Sequence, residues 1–154
     1  MSVYDVNPVE GGVNKAGSLE DLYGLEKHEV KLRRARTPSR KYLELFKNPG
    51  EISIRIDFPE FTCRCPKTSQ PDFATLSIGY RPSSWCVELK SLKYYFNSFR
   101  DEGHFHEEVT WLIARDLVRV LKPREFELLA EFNVRGGTYP TIRVAYDEKE
   151  GWGS

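Results

Sequence analysis

The chain has 154 residues and a formal net charge of zero, 23 basic against 23 acidic, with 40% hydrophobic and 30% charged residues. That is about one domain, long enough to bury a core without staples and too balanced for a disordered or membrane-spanning chain. No apolar run approaches the roughly 18 residues of a spanning helix, the start MSVYDVNPVEGG lacks a secretory pattern, and three cysteines suit a reducing compartment, so a soluble cytoplasmic domain is expected.

Residues 1–50 are punctuated by Pro8, Gly11, Gly12, Gly17, Pro38 and Pro49 and read as an N-terminal arm. Within it, Lys27–Lys41 sets eight basic residues, His28 included, against one acid, Glu29. A solvated face is one reading and a phosphate-binding arm the other. The zero net charge removes the counterion-release gain that drives sequence-independent nucleic-acid binding, so no direct nucleic-acid partner is expected.

From Glu51 the pattern sharpens. Ile52, Ile54, Ile56 and Phe58 alternate with polar residues, the period of a half-buried strand, which Pro59 is expected to end. A loop spans Phe61–Pro71. Ala74, Leu76, Ile78 and Tyr80 mark a second strand, followed by a turn at Arg81–Ser84 and a short extended piece from Trp85 to Leu89. Leu92, Tyr95, Phe96 and Phe99 then recur at helical spacing, with Gly103 as the expected stop. A second helix carries Val109, Leu112, Ile113, Leu117 and Val120 and ends at Pro123. Phe126, Leu128, Ala130, Phe132 and Val134 alternate as a strand, Arg135-Gly136-Gly137 turns the chain, and Ile142, Val144 and Tyr146 form a last strand. The order predicts an antiparallel α+β domain over 51–148, a four-stranded sheet with two helices on one face, and a C-terminal tail at 149–154. Its exposed edges point to oligomerisation.

Three clusters carry candidate chemistry. Cys65 lies in a loop flanked by Arg64 and Lys67, which stabilise a thiolate, and Asp72 follows at a distance from which a loop can return to exchange a proton. A buried, inert thiol is the plain alternative. Lys90 and Lys93 at the first turn of a helix would lie beside free backbone N–H groups that favour phosphate, or else are ordinary solvated lysines. Glu107 either complements its helix dipole or accepts paired N–H donors from a guanine-like edge. Cys63, Cys65, His104 and His106 offer four metal-ligand types, but C-x-C with H-x-H lacks the usual spacing of structural zinc sites, and no metal is expected. No G-x-G-x-x-G fingerprint occurs, which removes a Rossmann cofactor domain.

The stretches FTCRCPKTSQPDFATL (Phe61–Leu76) and VELKSLKYYFNSFRDEGHFHEE (Val87–Glu108) resemble the 7-cyano-7-deazaguanine reductases, the nitrile reductases of queuosine biosynthesis. The ELKSLKYYFNSFR segment is similar to that family's NADPH-associated signature, and CPKT-x-QPDFAT to its catalytic loop. The resemblance runs roughly from Pro59 to Gly137, about half the chain. It implies a tunnelling fold of ββααββ units assembled into rings, typically two stacked pentamers with active sites between subunits. It further implies Cys65 as the nucleophile that forms a thioimide with the nitrile carbon, and Asp72 as proton donor. Glu88, Glu107, His106 and the backbone of Val87 and Leu89 would hold the base. Lys90, Lys93 and the Arg135-Gly136 turn would meet NADPH. Which thiol attacks, Cys63 or Cys65, rests at this stage on the CPKT match alone.

Three other functions compete. A relative that adds ammonia to nitrile-modified tRNA shares the catalytic loop but lacks the Glu-x-Lys-x-x-Lys signature, present here as Glu88, Lys90 and Lys93. A zinc-dependent pterin-forming enzyme on the same fold would need the cysteines and histidines as ligands. A non-enzymatic RNA-binding oligomer would use Lys27–Lys41 and show salt-dependent tRNA affinity without turnover.

Overall fold

A computed structural model describes residues 42–153. Its strands are β1 (Leu45–Lys47), β2 (Ile54–Arg64), β3 (Pro71–Arg81), β4 (Trp85–Val87), β5 (Glu125–Phe132), β6 (Thr141–Asp147) and β7 (Gly151–Gly153); its helices are α1 (Leu89–Asn97) and α2 (His106–Leu121). The sheet order is β2-β3-β5-β6-β7, antiparallel throughout, with β1 and β4 forming a separate antiparallel ribbon. This is the expected antiparallel α+β layout, with a strand for each alternating run, but Phe61–Arg64, expected in a loop, belongs to β2. The basic run Lys27–Lys41 lies outside the described residues.

Along β3 and β5 every second side chain is buried: Ala74, Leu76, Ile78 and Tyr80 on one, Phe126, Leu128, Ala130 and Phe132 on the other. The helices pack on that face, α1 through Leu92, Tyr95 and Phe96 and α2 through Val109, Ile113 and Leu117, all in one apolar cluster. Burying a large apolar side chain contributes roughly 1.5–3 kcal/mol, so this face dominates the stability.

Four further local expectations are corrected. The sheet has five strands, not four: Asp147 accepts hydrogen bonds from the Lys149 and Glu150 backbone N–H groups, the chain reverses with Gly151 at φ +82°, and Trp152 packs on Tyr146 and Trp111. Leu45–Lys47, set apart with the arm, pairs with β4. Helix α1 ends at Asn97 rather than at Gly103, because Ser98 closes the last turn onto Tyr94 and Tyr95.

The fourth correction concerns Pro59, which does not end its strand. Phe58 pairs with Leu76 and Phe61 with Ala74, so β2 spends three residues where β3 spends two. This β-bulge accommodates Pro59 on what is an edge strand among the described residues, where its missing N–H is tolerated. The extra residue also switches parity. Ile54, Ile56 and Phe58 turn toward the core before the bulge, and Phe61 and Cys63 after it.

Candidate active site

The β2–β3 loop, residues 65–70, is closed by Cys65 N–H donating to Gln70 O (2.8 Å) and Ser69 N–H to Cys65 O (2.9 Å). Cys65 is partly exposed in this loop, whereas Cys63, two residues earlier on the core face, is fully buried. Burial pushes the Cys63 thiol up to about 12, and the fields of Asp72, Cys65 and Glu102 add to the effect. Cys63 is therefore a protonated core thiol at any physiological pH, an argument from physics that the sequence lacked for separating the two. Across the β2–β3 pairing, Cys63 stands opposite Asp72.

Asp72 continues the buried face of β3 past its apolar residues and is 6% exposed. Its Oδ2 lies 3.3 Å from Nε2 of His106, the first residue of α2, and its Oδ1 accepts a hydrogen bond from Arg135. The His106 ring stacks on Phe132, centroids 3.8 Å apart and planes 12° from parallel, which fixes its orientation. Arg135 comes from the tight turn after β5, where Gly136 and Gly137 take φ +56° and +78°, a conformation that favours glycine. Its guanidinium also donates to Thr68 Oγ1 (2.7 Å) and Gln70 Oε1 (2.8 Å), bracing the cysteine loop. Thr68 and Gln70 were not singled out from sequence; their only signal was membership of the CPKTSQPD block. Glu107 is exposed in the first turn of α2, where it complements the helix dipole.

The remaining predicted residues lie elsewhere. Val87 is buried, its N–H bonded to Tyr80 Oη at 3.1 Å. Glu88 caps α1, accepting from Lys90 N–H (2.8 Å) and Ser91 N–H (2.7 Å), and these bonds hold its carboxyl below the usual carboxylate range. The helix N–H groups expected to be open to phosphate are thus taken by Glu88. Leu89, Lys90 and Lys93 are exposed. Tyr80 and Asp72 stand eight residues apart on β3, roughly 26 Å at the ordinary strand rise. One chain therefore gathers Cys65, Asp72, His106, Glu107, Arg135 and Gly136 at one end of the sheet and leaves Val87, Glu88, Leu89, Lys90 and Lys93 toward the other.

His104 is buried between acids, its Nε2 2.9 Å from Glu102 and its Nδ1 3.6 Å from Glu108. Burial opposes its charge, but the hydrogen bond to Glu102 and the nearby Glu108 carboxylate outweigh burial and raise its pKa from 6.5 to about 9. With the folded value raised, the stability this pair of contacts provides is complete below pH 6.5 and is lost as pH rises through about 9. Melting temperature measured across that interval should fall in the wild type by an increment that His104→Gln does not share. Among the described residues, no three His, Cys, Asp or Glu side chains form a metal-holding group.

No helix among the described residues is long and apolar enough to cross a membrane. The family model described as QueF-like protein matches residues 71–151. A protein of Nitrosococcus oceani named NADPH-dependent 7-cyano-7-deazaguanine reductase is 57% identical over 75% of this chain and 90% of its own length. One of the same name from Thermomicrobium roseum is 51% identical over 72% of this chain and 89% of its own. Among solved structures, an archaeosine synthase QueF-Like in its apo form matches with TM-score 0.56 at 16% identity, covering 66% of this chain and 97% of that one, a likeness of fold.

Proposed function

The chain belongs to the QueF-like protein family, and from that membership we propose that it is an NADPH-dependent reductase of the nitrile of 7-cyano-7-deazaguanine, giving the 7-aminomethyl base for queuosine biosynthesis in the cytoplasm. The observation that carries this reading is the partly exposed Cys65 in a loop that Arg135 ties to buried Asp72, itself in contact with His106.

A nitrile is a weak electrophile. The Cys65 sulfur adds to its carbon, forming the C–S bond as one C≡N π bond opens, and the nitrogen takes a proton from Asp72; the product is a covalent thioimide. The protonated C=N carbon is then a far better hydride acceptor than the nitrile. NADPH would supply one hydride per molecule, so two bound in turn complete the four-electron reduction, and the C–S bond breaks after the first, returning the Cys65 sulfur as thiolate. Exposed Lys90 and Lys93 have the charge and accessibility to hold its phosphates, and the open Gly136 turn can approach them closely; the fit of Arg135 is weaker, because its guanidinium is already engaged. His106 and Glu107 offer the base an imidazole edge and a carboxylate, and Glu88 with the Val87 and Leu89 backbone complete its recognition.

The separation along β3 supports a ring assembly on the tunnelling fold, two stacked pentamers in which the Glu88 end of one copy meets the Cys65 end of the next. Among the described residues, β2 and β7 are the edge strands of the sheet, and their outer backbone groups are available for such pairing.

The test combines protein, 7-cyano-7-deazaguanine and NADPH, following NADPH absorbance and intact protein mass. Expected are NADPH consumption strictly dependent on the nitrile base and, without NADPH, a mass gain equal to that base. Absence of both would overturn the proposal.

A further inference from the structure

His104 takes no part in the chemistry above, yet it is 4% exposed and flanked by two carboxylates. Its surroundings come from every neighbouring element. Glu102 approaches from its own loop, Glu108 from α2, and Phe99 meets the ring edge-on at 5.8 Å from the turn after α1. On β2, the Cys63 thiol lies within reach of the Glu102 charge, and its high pKa keeps it neutral.

The backbone around His104 is tied to the cysteine loop. Arg64 N–H donates to Glu102 O (2.9 Å) and His104 N–H donates to Arg64 O (3.0 Å), so residues 102–104 run parallel to the last residue of β2, immediately before Cys65. The Arg64 side chain adds bonds to Ser69 O (3.2 Å) and Asp101 (3.0 Å). Two residues beyond His104 the chain enters α2 at His106, which faces Asp72. Helix α2 has no side-chain cap at Phe105, so its start is not fixed by the usual device. The contact from His104 to Glu108 is what reaches from the bridge into its first turn.

Charge decides whether that contact holds. Two half-buried carboxylates facing a neutral imidazole leave their charge only partly compensated, whereas an imidazolium attracts both. At 3.6 Å the Nδ1–Glu108 approach is longer than a hydrogen bond, and Nδ1 has no hydrogen-bond partner among the described residues. It therefore depends on charge more than on a directed bond.

We infer that His104 is a positioning residue: as an imidazolium between Glu102 and Glu108 it fastens the Arg64–Gly103 bridge to the first turn of α2, and so sets the spacing between the Cys65 loop and His106. The geometric claim stands on the described residues; its consequence for substrate rests on the reductase reading. Neutral His104 loosens the fastening, and the Cys65 loop opens.

The test measures iodoacetamide alkylation of Cys65 by peptide mass in the wild-type protein and in His104→Gln, as a ratio of rates so that titration of the thiol itself cancels. Expected is a ratio of about ten near pH 7 that falls toward about one above pH 9, where wild-type His104 has also lost its proton. A ratio of one near pH 7, or one independent of pH, overturns the inference. Glu108→Gln keeps the His104–Glu102 bond and gives a smaller increase in the same direction; if His104→Gln does not fold, an unchanged rate in Glu108→Gln overturns the inference instead. With the nitrile base, KM in His104→Gln is expected to rise about tenfold with kcat within about threefold, a loss of positioning and not of chemistry. If the wild type fails to turn over the nitrile, the reductase reading falls while the alkylation ratio still decides the role of His104.

Discussion

Cys65→Ala is expected to abolish nitrile-dependent NADPH consumption and the protein-bound adduct together, whereas Cys63→Ala leaves turnover within about threefold, apart from what a small core cavity costs in stability. The contrast follows from burial. Cys63 lies on the core face with its thiol pushed up to about 12, so essentially none is thiolate when the enzyme works. Cys65 lies two residues further on, in a loop that has left the sheet, partly open to solvent and tied through Arg135 to Asp72. Alanine there removes the only atom in the loop able to form the C–S bond, and residual binding cannot replace it. Intact mass after incubation with the nitrile base is the direct measurement. An adduct that persists in Cys65→Ala and vanishes in Cys63→Ala would reverse the assignment.

Asp72→Asn is expected to slow turnover by about 10²–10⁴-fold, the usual contribution of a positioned acid, with KM for the nitrile base changed only a few-fold. Asparagine keeps the shape and still accepts a hydrogen bond from Arg135, and Arg135 retains Thr68 and Gln70, so the loop is held. What is lost is the proton delivered to nitrogen as sulfur attacks carbon. Adduct formation, followed by mass after rapid mixing, should slow in parallel with steady-state turnover. Wild-type rates in this variant would remove Asp72 from the mechanism.

Much of the site could be read from residues alone. Carrying the Ala74–Tyr80 alternation back two positions puts Asp72 on the core side of its strand, and the Cys65 loop is announced by Pro66 within it and Pro71 just after it. The dependence of Asp72 on Arg135, 63 residues away, had no local signal. Nor did the loss of the α1 N–H groups to Glu88, since a carboxylate before a helix can serve either as cap or as ligand, and only the observed bonds to Lys90 and Ser91 decide. In the sequence His104 joins Cys63, Cys65 and His106 as a candidate metal-ligand type; the acids that surround it come from its loop and from α2.

What this chain's sequence determined by itself is the set of elements, the face each presents to the core, and the motifs that mark its family, because strand and helix periods are properties of adjacent residues. The tertiary structure alone decided which thiol is shut inside, which acid meets which cation, and that the two motif clusters stand far apart within one chain. Those outcomes depend on register across the sheet. The one-residue bulge at Pro59 that sends Cys63 inward is specified by how β2 pairs with β3, and no pattern within β2 contains that information.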